Sequence, residues 1–116
     1  MEKVVKIGHG FQLNRVILKI IKQQADITAK TAFELYKLHK NLDEMEEFVF
    51  SRIALIYGDN ISAKSIINMD NPVCNAIMES ETLIEIPKID INEILESDKI
   101  KLEIDDIEIL NKIFDF

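Results

Sequence analysis

Cationic side chains are the groups in this sequence best suited to chemistry, and most of them lie in its first third. Residues 1–40 contain eight Lys and Arg against three Asp and Glu, whereas residues 41–116 contain six against eighteen. Clustered ammonium and guanidinium groups bind phosphates and carboxylates. Because the whole chain carries a formal charge of −7, a long nucleic acid would be repelled. The charge pattern predicts a local anion-binding surface, or two halves that neutralise each other in the fold.

Catalytic and metal-binding candidates are few. His9 stands between two glycines, His39 lies within a predicted helix, and Cys74 is the single cysteine. A general base or a reactive thiolate needs a neighbour that orients or activates it, and the adjacent sequence supplies none. A solvated acidic face, rather than a di-metal site with Glu-x-x-His spacing, is expected for Asp43, Glu44, Glu46 and Glu47. We therefore predict that the protein is not an enzyme and needs no metal or cofactor.

The predicted ligand-binding residues lie on two successive helices. Their cationic groups are expected to converge across a helical hairpin, where they would neutralise a phosphate-bearing small molecule. One tyrosine beside them offers a ring for base stacking, although a tyrosine at helical spacing is also typical of a core. The predicted set is Arg15, Lys19, Lys22, Lys30, Tyr36 and Lys37.

The elements that must position these residues begin with a short strand. The short β-prone run Lys-Val-Val-Lys-Ile predicts a strand over Lys3–Ile7, and the glycines of Gly8-His9-Gly10 predict a sharp turn. From Phe11 to Gln24, apolar residues recur at helical spacing, while Asn14, Arg15 and the lysines fill the remaining positions. This pattern predicts an amphipathic helix with a basic outer face.

A long second helix is predicted over residues 27–57, capped by Asp26 or Thr28 and followed by Gly58. Leu35, Leu42, Val49 and Ile56 repeat every seven residues along it, which indicates a stripe that needs a partner. The first helix is too short to cover the whole stripe. Either the C-terminal segment folds back onto it or a second copy of the chain packs there, and we favour a homo-oligomer.

The sequence pattern of the second half of the chain predicts short strands and helices joined by loops. Residues 59–81 read as a loop with one or two helical turns. Alternation around a proline over Leu83–Ile91 predicts an edge strand or a bent pair of strands that can pair with the first strand. A helical turn over 92–96, a strand over 100–104 and a closing helix capped by Asp105 or Asp106 complete the fold. We predict a single α+β domain over 1–116, a helical hairpin with a small antiparallel sheet.

Composition also bears on where the protein works. No window of the sequence has the roughly 18 uncharged apolar residues that span a bilayer, and the first residues lack the apolar region of a signal peptide. One cysteine excludes an internal disulfide. The expectation is a soluble, intracellular protein without a membrane partner.

Several stretches of the sequence, which together span most of the chain, form a recognisable set: Lys3–Ile7 with its glycines, Ile27–Phe33, Phe48 and Arg52 before Ile56-Tyr57-Gly58, Glu81–Ile86, and Ile109-Leu110. In this set the chain resembles a group of small proteins of unassigned function encoded by tailed phages and prophages, whose members imply a single small domain and a host-cell cytoplasm as its location. The resemblance implies a phage origin more directly than an activity.

Two binding functions follow as hypotheses. The first is a phage protein that sequesters a small anionic, nucleotide-like signal of host immunity in a basic pocket. The second is a protein–protein interaction module that docks an acidic host factor or acts as an accessory in virion assembly. Tyr36 beside Lys37 slightly favours the first.

Overall fold

A computed structural model of the protein describes residues 1–23, 26–57 and 72–114. Along these ranges lie two strands and five helices: β1 (Glu2–Lys6), α1 (Ile7–Lys22), α2 (Ala29–Tyr57), α3 (Pro72–Glu79), β2 (Glu81–Glu85), α4 (Ile91–Leu95) and α5 (Ile104–Phe114). The predicted α+β class, with one long helix and a small antiparallel sheet, is confirmed.

The sheet consists of β1 and β2 paired antiparallel, as predicted for the first strand and the segment before the proline. Val4 lies opposite Leu83 and Lys3 opposite Ile84. The inner face carries the buried residues Val5 and Ile84, whereas Val4 and Leu83 are exposed on the outer face. Alternate side chains therefore anchor the ribbon to the core, as the period of a strand requires.

The predicted turn at Gly8-His9-Gly10 is wrong, because α1 begins at Ile7 and contains both glycines. Close packing explains them better than backbone reversal does. A Cβ atom at position 10 would lie 2.9 Å from Met45 Cε, and one at position 8 would lie 3.2 Å from the Met78 carbonyl oxygen. The glycines thus let the first turn of α1 approach α2 and α3. Helix α1 ends at Lys22, and the predicted last residue, Gln24, lies outside the described residues.

Helix α2 begins where a threonine caps it. Thr28 Oγ1 accepts a hydrogen bond from the Thr31 backbone N–H at 3.3 Å, which confirms Thr28 rather than Asp26 as the cap. The carboxylate of Glu93 in α4 accepts hydrogen bonds from Thr28 N–H and from Thr31 Oγ1. The hydrogen bond from Thr31, followed by the one from the Thr28 backbone, holds the pKa of Glu93 below its usual range. This contact ties α4 to the start of α2.

The apolar stripe of α2 is covered within the chain from Leu35 to Ile53, and the side chain of Ile56, its last predicted member, lies outside the described ones. Its first half belongs to a core shared with α1, β2, α4 and α5, and its second half packs with α1 and α3. The stripe residues with at most 3% exposure are Leu35, Leu38, Leu42, Val49 and Ile53. Of the two predicted alternatives, the C-terminal segment does fold back. A homo-oligomer stays a prediction, but this stripe gives no reason for one.

The C-terminal half departs from prediction in three places, and one of them is the cap of α5, because Asp105 and Asp106 lie inside the helix rather than before it. Strand β2 ends at Glu85, before Pro87, so the expected extension to Ile91 is wrong. Residues 100–103 are irregular and Ile104 opens α5, so the expected strand over 100–104 is also wrong. Ile100 is nonetheless buried, so packing in the core accounts for this apolar residue without any strand pairing. The helical turn near 92–96 is confirmed by α4, and residues 59–71 of the predicted loop lie outside the described residues.

Candidate interaction surface

Lys19, one of the three predicted cations of α1, is neutralised within the chain. Lys19 Nζ lies 2.6 Å from Asp106 Oδ2 in α5. Burial opposes ionisation of Asp106, but its hydrogen bonds from Lys19 and from the Glu103 backbone N–H outweigh burial and hold the pKa of Asp106 below its usual range. The same hydrogen bond raises the pKa of Lys19. This ion pair therefore holds α5 against α1, and the Lys19 ammonium is already occupied by a carboxylate of the same chain.

Arg15 lines a cavity of about 330 Å³ between α1 and α5. The cavity is also lined by Lys112 and by three carboxylates, those of Asp105, Asp106 and Glu108. Acidic groups thus outnumber cations in it, which is the opposite of what a phosphate requires. Lys22 is exposed at the end of α1 and lies outside this cavity.

The remaining predicted residues share one face of α2. At 100° per residue, Lys30, Phe33, Tyr36, Lys37 and Lys40 all project from the side opposite the buried leucines. We call these five residues the aromatic–lysine face. Phe33 and Tyr36 are 58% and 57% exposed, which is a large exposure for two aromatic rings in consecutive turns. The structure therefore brings together Lys30, Tyr36 and Lys37 and separates them from the three residues of α1.

Contacts within this face hold one lysine over a ring. Lys37 Nζ lies 5.0 Å from the centre of the Phe33 ring, a cation–π contact, and 3.1 Å from Glu34 Oε1. Lys30 lines a second cavity, of about 630 Å³, together with Lys88 and the carboxylates of Glu34, Asp90 and Glu93. Two of the described cavities are lined by a predicted cation, one by Arg15 and one by Lys30. In both, carboxylates outnumber cations, so neither is a positively charged pocket.

Further along α2, exposed apolar side chains continue on the same side. Phe48 is 61% exposed, with the Arg52 guanidinium 5.0 Å from its ring centre, and Leu55 is 79% exposed. At 1.5 Å per residue, Phe33 and Phe48 are about 22 Å apart along the helix. The outer side of α2 therefore presents a long mixed surface, with cations in its first half and carboxylates such as Glu44 and Glu47 in its second.

A polar cluster that sequence reasoning missed lies between α1 and α2. Asn14 is 3% exposed, although it was expected on the polar side of its helix. Its Nδ2 donates to Asp43 Oδ1 at 2.8 Å and to Glu46 Oε2, and its Oδ1 lies 2.7 Å from His39 Nδ1. His39 Nε2 lies 3.2 Å from Asp43 Oδ2. One buried amide therefore organises three titratable side chains.

The spacing of this cluster was the signal available in the sequence. Positions 39, 43 and 46 recur at i, i+4 and i+7 and so share one face of a helix. The expected solvated acidic face holds for Glu44 and Glu47, which are exposed, but not for Glu46. Burial raises the pKa of the Glu46 carboxyl, the hydrogen bond from Asn14 works against that rise, and the nearby charge of Asp43 adds to it.

The other catalytic candidates lie apart from this cluster. His9 is partly buried in the first turn of α1, where burial and then the charges of Lys112 and Lys6 lower its pKa. Cys74 is 1% exposed and packs with Phe11, Val49 and Ile53. Among the described residues, no group of three or more His, Cys, Asp or Glu side chains is arranged to hold a metal ion.

None of the helices in the described ranges combines the length and the apolar character needed to cross a bilayer. No protein-family model matches the sequence, and neither curated proteins nor solved structures give a match.

Proposed function

We propose that this chain is a non-enzymatic binding protein that docks an acidic protein partner through the aromatic–lysine face of α2. The observation that carries the proposal is the exposure of Phe33 and Tyr36 among three lysines on one helical face. Aromatic side chains dominate the energy of protein interfaces, and surrounding charges set the choice of partner. An acidic partner both covers the rings and neutralises the lysines.

The energetics of this face favour a macromolecular partner. Burying a whole Phe side chain is worth about 1.5–3 kcal/mol, and more than half of each ring on this face is still exposed. An exposed helical face that carries two aromatic side chains suits the broad contact of another protein. Enclosing a small ligand requires a concave site lined by convergent polar groups.

Nucleotide sequestration becomes the second candidate. Tyr36 favours it, because an exposed ring beside Lys37 and Lys40 can stack on a base while the lysines face phosphates. The excess of carboxylates in the cavities that contain Arg15 and Lys30 speaks against an enclosed phosphate pocket. We therefore favour docking of a protein over sequestration of a nucleotide, the hypothesis that the sequence slightly favoured.

The class of partner rests on the resemblance to phage-encoded proteins. That resemblance implies a host factor or a component of virion assembly, met in the host cytoplasm. A second copy of this chain belongs to the same proposal, because the acidic second half of α2 complements the lysines of its first half. Solution mass of the purified protein tests self-association directly.

The proposal is tested by native mass spectrometry of the protein isolated from its native cells. The Phe33→Ala/Tyr36→Ala variant is compared with the wild type, and Lys22→Gln serves as a control because Lys22 is exposed on α1. We expect a protein partner bound to the wild type and to the control, and lost from the double variant.

Two results would contradict docking through this face. One is a partner retained equally by all three proteins, and the other is wild-type protein with no bound protein at all. Retention of a nucleotide-sized mass that the Tyr36 change removes would establish the second candidate instead.

A further inference from the structure

Strand β2 has an edge that faces away from β1. The Ile86 N–H donates to the Met1 carbonyl at 2.8 Å, and the Ile7 N–H donates to the Ser80 carbonyl at 2.9 Å. Because hydrogen-bonded and non-hydrogen-bonded pairs alternate in an antiparallel ladder, Lys3 with Ile84 and Val5 with Thr82 are bonded pairs. Glu81, Leu83 and Glu85 must then point their backbone groups away from β1.

Most of these outward groups lack a partner among the described residues. Asn41 Nδ2 of α2 donates to the Glu85 carbonyl at 3.3 Å and closes the edge at that end. Within residues 1–23, 26–57 and 72–114, the backbone N–H and C=O groups of Glu81 and Leu83 have no hydrogen-bond partner. Unpaired groups in a row along a strand are a template for another extended chain.

A groove runs beside this edge, between β2 and α2. Its volume is about 450 Å³, and its lining includes Phe48 and Met45 from α2 and Leu83 from β2. Phe48 and Leu83 are 61% and 57% exposed, so two large apolar side chains stand open at the groove. An extended segment placed there would pair with the edge and rest an apolar side chain between them.

Charge selects the occupant of the groove. Both charged side chains in its lining, Glu44 and Glu85, are carboxylates, and Glu81 stands at the other end of the strand. Glu85 lies 2.9 Å from the Met1 ammonium, whereas no ion pair involves Glu44 in the described part of the chain. Carboxylates attract lysine and arginine.

The same carboxylates disfavour pairing of β2 with its own copy. An antiparallel pairing centred on Leu83 would place Glu81 of one chain opposite Glu85 of the other, and a parallel pairing in register would stack identical glutamates. Like charges directly opposite each other destabilise a ladder. The edge is therefore protected against self-assembly but open to a chain of opposite charge.

We propose that the edge of β2 and the groove beside α2 bind an extended segment of another protein, in which basic and apolar residues alternate, as a third strand of the sheet. This surface adjoins the aromatic–lysine face along α2 but shares no residue with it, and it has the opposite charge preference. The protein would then bind an acidic partner at the first half of α2 and a basic strand beside its second half.

The test uses a capped peptide in which lysine and valine alternate, titrated into the full-length protein. Hydrogen exchange of the Leu83 amide should slow by about tenfold or more at saturation, because that N–H becomes bonded within the sheet. A peptide with glutamate in place of lysine should bind at least about tenfold more weakly. An N-methylated lysine–valine peptide, which lacks backbone donors, should also fail.

Proline substitutions supply matched variants. Leu83→Pro removes an outward N–H without removing a ladder bond, and Val4→Pro does the same on β1, directly across the ribbon. We expect Leu83→Pro to weaken peptide binding at least about tenfold and Val4→Pro to leave it unchanged. Leu83→Ala keeps the N–H and should retain slowed exchange at position 83.

Several results would overturn the proposal. They are no binding of the lysine–valine peptide up to about 1 mM, equal binding by the glutamate or N-methylated peptide, or bound peptide with unchanged exchange at Leu83. If Leu83→Pro does not fold, the N-methylated peptide and the exchange measurement decide alone. A failure here leaves the aromatic–lysine face untouched, because that test monitors Phe33 and Tyr36.

Discussion

Replacing Asn14 with aspartate is expected to destabilise the protein strongly at neutral pH. Asn14 is 3% exposed, and its amide Nδ2 donates to carboxylate oxygens of both Asp43 and Glu46. Aspartate has nearly the same shape but replaces this donor with a third acceptor. A third negative charge would then lie within hydrogen-bonding distance of two others.

The magnitude follows from that geometry. An uncompensated buried charge costs about 3–5 kcal/mol, against a total stability of about 5–15 kcal/mol for a typical domain. The contact with His39 Nδ1 survives the change, because the new carboxylate still offers an acceptor, and this offsets part of the cost. We therefore expect Asn14→Asp to lower the free energy of unfolding by about 3 kcal/mol near pH 7.

Acid should relieve most of this loss. Burial beside two carboxylates raises the folded-state pKa of the introduced aspartate above its unfolded value of about 3.9. The destabilisation is therefore present above the folded-state pKa and disappears as pH falls towards the unfolded value. Urea denaturation near pH 7.5 and near pH 4.5 measures the difference.

The control carries the same charge on the surface. Asn75 is exposed on α3, so Asn75→Asp should change the free energy of unfolding by less than about 0.5 kcal/mol at either pH. If Asn14→Asp costs no more than this control, or if its cost does not shrink in acid, the buried amide does not organise the cluster as described.

Three further predictions concern the same packing. Burial raises the pKa of the Glu46 carboxyl, so the ionised form of this side chain opposes folding. Glu46→Gln should therefore stabilise the protein at neutral pH, and the gain should fade as pH falls through the raised pKa. Urea denaturation at a series of pH values measures this gain. Leu38→Ala, at a position with no exposed surface, should cost about 2–5 kcal/mol, whereas Leu55→Ala, at a 79% exposed position, should stay within about 0.5 kcal/mol; equal losses would contradict the assigned core. Lys19→Gln removes the partner that, against the effect of burial, holds the pKa of Asp106 low, so it should destabilise the protein at neutral pH. The loss should disappear as pH falls through the lowered folded-state pKa of Asp106, and a loss that persists below that pKa would point to packing instead.

Sequence periodicity predicted the elements whose signals are local. The long helix and the alternating segment that contains β2 carry repeats of 3.6 and 2 residues, and these repeats do not depend on distant partners. The glycine pair failed because two physical uses of glycine look identical in sequence. A tight turn and a close helix approach both need a missing Cβ, and only the position of Met45 and Met78 distinguishes them.

The candidate surface was half predictable for a similar reason. Lys30, Tyr36 and Lys37 share a face because they are on one helix, which spacing alone establishes. Arg15 and Lys19 were expected to join them, but their surroundings depend on where α5 docks. Asp106 lies 87 positions away from Lys19 along the chain, so no local pattern foretells that pairing.

The topology also sets the order in which a growing chain can complete itself on the ribosome. Strand β1 cannot pair until β2 has been synthesised. Lys3 Nζ donates to the Ile113 carbonyl at 2.6 Å, and these two residues are separated by 110 positions in the chain. At translation rates of about 5–20 residues per second, synthesis from Tyr57 to Phe114 takes roughly 3–11 s. During that interval the leucines of the emerging hairpin lack the cover that β2 and α5 give them in the finished fold.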